Sequence, residues 1–142
     1  MNKRNYVIAL IIIILDQLTK FFVINRNIEI IPNFLNITYT QNTGAAFGIG
    51  TLNIITTISI LLLISIIVFI IKENKRITHF IPFVLIISGT IGNLIDRIFR
   101  GYVIDFIDIN LFNFPNFNIA DICITTGIFT ITFMLIKQKI LK

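Results

Sequence analysis

The stretch YVIALIIIILDQLTKFFVI, residues 6–24, decides the fold. It is apolar over roughly the 20 residues that a helix needs to cross a bilayer, yet Asp16 and Lys20 stand inside it. With Lys3 and Arg4 in front it has the outline of a secretory signal. No small-residue cleavage site follows, and the apolar run continues through both charges, so the reading is an uncleaved first span. A carboxylate at the centre of a lipid-facing helix costs about 2.5–3.5 kcal/mol, so charges kept there pair with one another and face other helices. Asp16 lies four residues before Lys20, which puts the two on one helical face. The expectation is an ion pair that ties this helix to its neighbours.

The rest of the 142 residues carry the same signature. Hydrophobic residues make up 56% of the chain and charged ones 13%, with a mean hydropathy of +0.91. A soluble domain carries about twice that charge. The chain reads as an all-α integral membrane protein, one domain over residues 1–142, with a four-helix transmembrane bundle. The spans are expected at about 6–24, 52–71, 80–95 and 119–136. The net charge of +5 could suggest a nucleic-acid partner, but its distribution argues for none. Lys3 and Arg4, then Lys72, Lys75 and Arg76, then Lys137, Lys139 and Lys142 each abut an apolar run. That is the pattern that holds loops in the cytoplasm. It places both termini inside and leaves residues 25–51 and 96–118 on the outer face. The single cysteine, Cys123, rules out an internal disulfide and is expected as a buried small hydrophobe.

The outer segments hold most of the glycine, asparagine and aspartate. Leu35, Ile37 and Tyr39 alternate with Asn36, Thr38 and Thr40, the period of a half-buried strand. A small extracytoplasmic β-sheet on the membrane surface follows from this, and a short helical element is expected beside it. In the third span, Ser88 and Gly92 form a pair of small residues that permits close helix packing. Asn93 with Arg97, and Asp96 with Arg100, project together at four-residue spacing. In Gly101–Ile109, Asp105 and Asp108 point to opposite faces of a strand but to one face of a helix; pattern alone leaves both open. Asn118, followed three residues later by Asp121 at the start of the fourth span, is a variant capping box.

Five of the seven acidic residues thus lie in or against apolar stretches. Two carboxylates brought together are the minimum equipment for hydrolysing a peptide bond without a nucleophilic side chain or a metal. Other chemistries lack parts. His79 is the only histidine and falls far from the acids, so zinc sites of the HExxH type and Ser-His or Cys-His systems have no imidazole. A small transporter would need polar residues along the membrane depth, and the second span offers only Thr and Ser. A non-catalytic adaptor would use the acids only as caps and ion pairs.

Taken together, these blocks resemble the bacterial lipoprotein signal peptidases, or signal peptidase II. The resemblance runs in the family's order through Asp16-Gln17-Leu18-Thr19-Lys20, Asn42-Thr43-Gly44-Ala45-Ala46-Phe47, Gly92-Asn93-Leu94-Ile95-Asp96-Arg97, Val103-Ile104-Asp105-Phe106 and Phe117-Asn118-Ile119-Ala120-Asp121. It implies that Asp105 and Asp121 are the catalytic pair and that Asp108 is not. It further implies that Asn42, Asn93, Arg97 and Asn118 surround that pair, with Asp16 and Lys20 as the charged pair of the first span. The expected activity is cleavage of prolipoproteins on the N-terminal side of a diacylglyceryl-modified cysteine. It would be carried out by a monomer in the bacterial cell membrane, with its site on the outer face, needing no metal or cofactor.

Overall fold

Asn2 opens the first helix, α1 (Lys3–Val23), by accepting the Asn5 amide on its side chain, the usual way a helix satisfies one of its orphan N–H groups. The structure, a computed structural model, describes residues 2–44, 52–73, 80–111 and 114–140. Three further helices follow: α2 (Leu52–Glu73), α3 (Ile81–Phe99) and α4 (Ile119–Ile140). Three strands, β1 (Asn27–Ile31), β2 (Leu35–Asn42) and β3 (Val103–Ile109), form one antiparallel sheet in that order.

Lys3–Val23, Ile81–Phe99 and Ile119–Gln138 are each long and apolar enough to cross a membrane. The apolar stretch found in α2, Thr57–Lys72, is shorter. The expected third span ended at Ile95; α3 continues to Phe99 and so carries Asp96 and Arg97 on its last turns. The fourth likewise runs past Ile136 to Ile140. The expected small sheet is there. The sequence pattern located β2, while β1 carried no signal because all five of its residues are exposed. The Gly101–Ile109 ambiguity resolves as a strand. Gly101, at φ 81°, makes the left-handed turn out of α3. The expected helical element on the outer side is not among the described residues, and His79 and the Ala45–Phe47 part of the small-residue run lie outside them.

The helix α3 is central, packing on α1, α2 and α4. Its contact with α4 is close because both sides lack side chains where they meet. A Cβ at Gly89 would run into the Ala120 carbonyl oxygen, and one at Gly127 would lie 2.7 Å from that of Pro82. A Cβ at Gly92 would lie 2.6 Å from Asp16 Oδ2, so α1 also approaches α3 over a glycine. The outward faces carry exposed apolar side chains such as Leu10, Ile14, Leu61, Phe129 and Phe133, whereas Asp16, Lys20, Ser88, Asn93, Asp96 and Asn118 are buried. Polar groups inside and apolar groups outside suit a lipid solvent. Cys123, expected to be buried, is only half-buried, because α4 turns much of its surface away from the other helices.

A methyl group at position 89 would run into the Ala120 carbonyl group and would meet the Ile124 side chain at 2.8 Å. Gly89→Ala is expected to lower stability by about 1–3 kcal/mol through overpacking, measured as a lower thermal unfolding midpoint of the detergent-purified protein.

Candidate active site

Each acid reaches the site by local geometry. The strand register pairs Asp105 with Thr40 of β2 and Asp108 with Asn36. Pleat alternation then sends the two carboxylates to opposite faces. Asp105 turns inward and is 2% exposed. Asp108 accepts hydrogen bonds from Asn36 Nδ2 at 3.3 Å and Thr38 Oγ1 at 3.2 Å on the other face. The two bonds occupy Asp108 on a sheet surface.

Asp121 arrives by a different route. After β3 the chain folds back, so that Phe117 exchanges backbone hydrogen bonds with Ile107 in both directions, at 2.8 and 3.1 Å. This sets Asn118 beside Asp105 at the mouth of α4. The capping box is reciprocal: the Asp121 amide donates to Asn118 Oδ1 at 2.9 Å, and the Asn118 amide donates to Asp121 Oδ2 at 3.3 Å. Asn118 then uses its Nδ2 on Asp105 Oδ1 at 2.7 Å, with weaker contacts at 3.2 Å to Asn93 Oδ1 and the Ile104 carbonyl oxygen. One buried asparagine therefore holds both carboxylates.

The remaining expected residues converge on the same point. Asn42, at the end of β2, donates to Asp105 Oδ2 at 2.8 Å. Asn93 donates to Asp121 Oδ1 at 2.7 Å, and its own oxygen accepts from Lys20 Nζ at 2.9 Å. Arg97 donates to the Asn93 carbonyl oxygen at 3.4 Å, and its guanidinium is within electrostatic reach of Asp121 and Asp105. Asp16 and Lys20 form the expected ion pair at 2.8 Å.

Sequence reasoning missed how far Asp96 reaches. It was paired with Arg100 by spacing, and that pair forms. Asp96 also takes Lys20 Nζ at 3.0 Å, the Ile104 amide at 3.1 Å and Gln17 Nε2 at 3.1 Å. Gln17, beside the ion-paired Asp16, bridges Asp16, Asp96 and the Gly92 carbonyl oxygen. Among the described residues no buried side-chain nitrogen or oxygen lacks a partner.

The comparisons with known proteins bear on this arrangement. The family model described as "Signal peptidase (SPase) II" matches residues 8–137. The chain belongs to the signal peptidase II family. It is similar to the lipoprotein signal peptidases of Staphylococcus haemolyticus (strain JCSC1435) and Staphylococcus aureus (strain JH9). Each is 40% identical over 97% of this chain, covering 97% and 94% of those proteins. A solved structure described as a bacterial membrane enzyme at 2.3 Å resolution superposes with a TM-score of 0.85. It is 37% identical and covers 96% of this chain and 89% of that one. A second, at 1.9 Å, gives a TM-score of 0.83 at 38% identity over 94% and 93%. This signal peptidase II family member is therefore a membrane peptidase.

Burial and the charge of Asp121 push the Asp105 carboxyl up from 3.8 to about 6, against the hydrogen bonds from Asn42 and Asn118 that pull it down. A carboxyl that resists ionisation favours the folded protein below pH 3.8, and that contribution is lost as pH rises through about 6. Titrating Asp105 by carboxyl-carbon NMR in micelles should give a midpoint near 6. Asp121→Asn should lower that midpoint and Asn42→Ala should raise it.

Proposed function

We propose that this peptidase removes signal peptides from bacterial prolipoproteins, cutting before the diacylglyceryl-modified cysteine, with Asp105 and Asp121 as the catalytic pair. The observation that carries this reading is Asn118. Its side chain donates to Asp105 while its backbone amide donates to Asp121, at 2.7 and 3.3 Å. Two neighbouring carboxylates resist ionising together and share a proton near neutral pH. In this reading Asp105, with its raised affinity for a proton, holds it. Asp121 lies in the first turn of α4, where the helix N-terminus favours negative charge.

The reaction then needs two proton movements. Asp121 takes a proton from water as the water oxygen attacks the scissile carbonyl carbon. Asp105 donates its proton towards the carbonyl oxygen and stabilises the developing oxyanion. Collapse of the tetrahedral intermediate breaks the C–N bond, and the departing amine takes up a proton from the pair. Asn42, Asn93 and Asn118 hold the carboxylates still, and Arg97 adds positive charge beside them. No covalent intermediate forms.

The same reading sets the enzyme in the bilayer as a single-domain monomer, with α2 as a fourth crossing. Lys3 and Arg4 lie in the first turn of α1, Lys72 in the last turn of α2 and Lys137 near the end of α4. Basic residues at these helix ends argue for cytoplasmic termini. The acids, at the start of α4 and beyond the end of α3, would then lie at the outer surface. A substrate anchored by its signal helix and its acyl chains presents its cleavage site at that depth.

Asp105→Asn and Asp121→Asn should each reduce cleavage of a diacylglyceryl-modified prolipoprotein by about 10²–10⁴-fold or more, with the protein still inserted and folded. Asp108→Asn should retain most activity. The readout is the shift from precursor to mature lipoprotein on a gel; full activity in either of the first two variants would refute the pair.

A further inference from the structure

Lys20 lies wholly buried and spends its three ammonium protons on three acceptors: Asp16 at 2.8 Å, Asp96 at 3.0 Å and Asn93 at 2.9 Å. The two carboxylates do the same thing at their other contacts. Asp16 Oδ1 accepts the Ala120 amide at 2.9 Å, and Asp96 Oδ2 accepts the Ile104 amide at 3.1 Å. Ala120 and Ile104 are the residues immediately before Asp121 and Asp105. Neither bond belongs to a strand ladder or a helix. Ala120 is at the second position of α4, where the amide has no partner within the helix.

We infer that Asp16, Lys20 and Asp96 form a two-armed brace that fixes the spacing of Asp105 and Asp121, each arm gripping the backbone one residue before a catalytic acid. The inference rests on the two-aspartate reading and adds positioning residues to it. The arms start on different helices, α1 and α3, and meet at one ammonium group, so neither acid can shift without drawing on the same contact. Asn93 extends the brace to the side chains, joining Lys20 Nζ to Asp121 Oδ1. Arg100, a quarter exposed, balances the second carboxylate. With two acids and two bases the cluster is neutral, which lets it stay buried without a net charge. None of the three brace residues bonds Asp105 or Asp121 directly, so their effect on the reaction passes through position.

Removing Lys20 would leave two carboxylates buried side by side, so the test uses the arms. Asp96→Asn and Asp16→Asn keep an oxygen to accept the backbone amide; Asp96→Ala and Asp16→Ala do not. Purified enzyme is assayed on a diacylglyceryl-modified prolipoprotein, normalised to folded protein by thermal unfolding. Amide hydrogen exchange at Ile104 and Ala120 is followed in parallel. Asp96→Ala and Asp16→Ala should lose about 10²-fold in kcat, the scale on which small misplacement of catalytic groups acts. Their KM should stay within about threefold, since substrate binding is untouched. Exchange should quicken at Ile104 in Asp96→Ala and at Ala120 in Asp16→Ala. The Asn variants should keep kcat within about tenfold and hold both amides protected, because the gripping oxygen survives.

Wild-type kcat in folded Ala variants overturns the brace, as does an equal fall in the Asn and Ala variants, or a loss confined to KM. If the Ala variants do not fold, the Asn variants decide: a 10²-fold loss of kcat in them, on the same scale, refutes the inference. The two readings fail separately. An active Asp105→Asn enzyme sinks the catalytic pair, whereas a fully active Asp96→Ala enzyme beside an inactive Asp105→Asn enzyme sinks only the brace.

Discussion

A single buried ammonium group organises the polar half of this protein. Lys20 Nζ has no exposed surface and touches Asp16, Asp96 and Asn93. Leaving one partner of a buried ion pair alone costs about 3–5 kcal/mol, a large share of the 5–15 kcal/mol by which a typical protein is stable. Each member of the cluster therefore stabilises the others. Through it α1 is bonded to α3, to the start of β3 and to the start of α4. These are contacts between elements that lipid alone gives no reason to pack together, because hydrocarbon solvates their apolar flanks as well as a neighbouring helix would.

Close approach makes the short bonds possible. Gly92 leaves room for Asp16 against α3, and Gly89 lets the Ala120 carbonyl oxygen sit where a side chain would be. The packing is thus arranged around the polar groups rather than beside them. Asparagine is the connecting residue. Its amide both donates and accepts, so Asn93 and Asn118 can each join a carboxylate to a further group. A hydroxyl could not span these gaps, and a third charge would need a counter-ion of its own.

Features that depend on near neighbours could be read from the sequence. The apolar runs marked α1, α3 and α4; alternation marked β2; and the spacing of Asn118 and Asp121 announced a cap that forms with both of its bonds. The four-residue spacing of Asp16 and Lys20 announced their pair. Features set by distant partners could not. Asp96 meets Lys20 across 76 positions of chain, and the Ala120 amide meets Asp16 across 104. Which of Asp105 and Asp108 faces inward turns on strand against helix, which the residues of that segment leave open and the pairing with β2 fixes. The family resemblance chose Asp105 without that knowledge, by matching a block of residues rather than by geometry. Strand β1 had no buried face to impose a pattern.

That register has an inheritance of its own. Thr40 faces Asp105, with the irregularity between Ile37 and Thr40 absorbing one step of mismatch, and side chains along β3 change sides at every residue. One codon gained or lost between Gly101 and Asp105 would swing the acid to the side where Asp108 now meets Asn36 and Thr38. Lineages descending from this chain can vary the length of the turn at residues 32–34 with less effect, because the strand that leads into it, β1, has no buried face. Between Gly101 and Asp105 only substitutions are open to them.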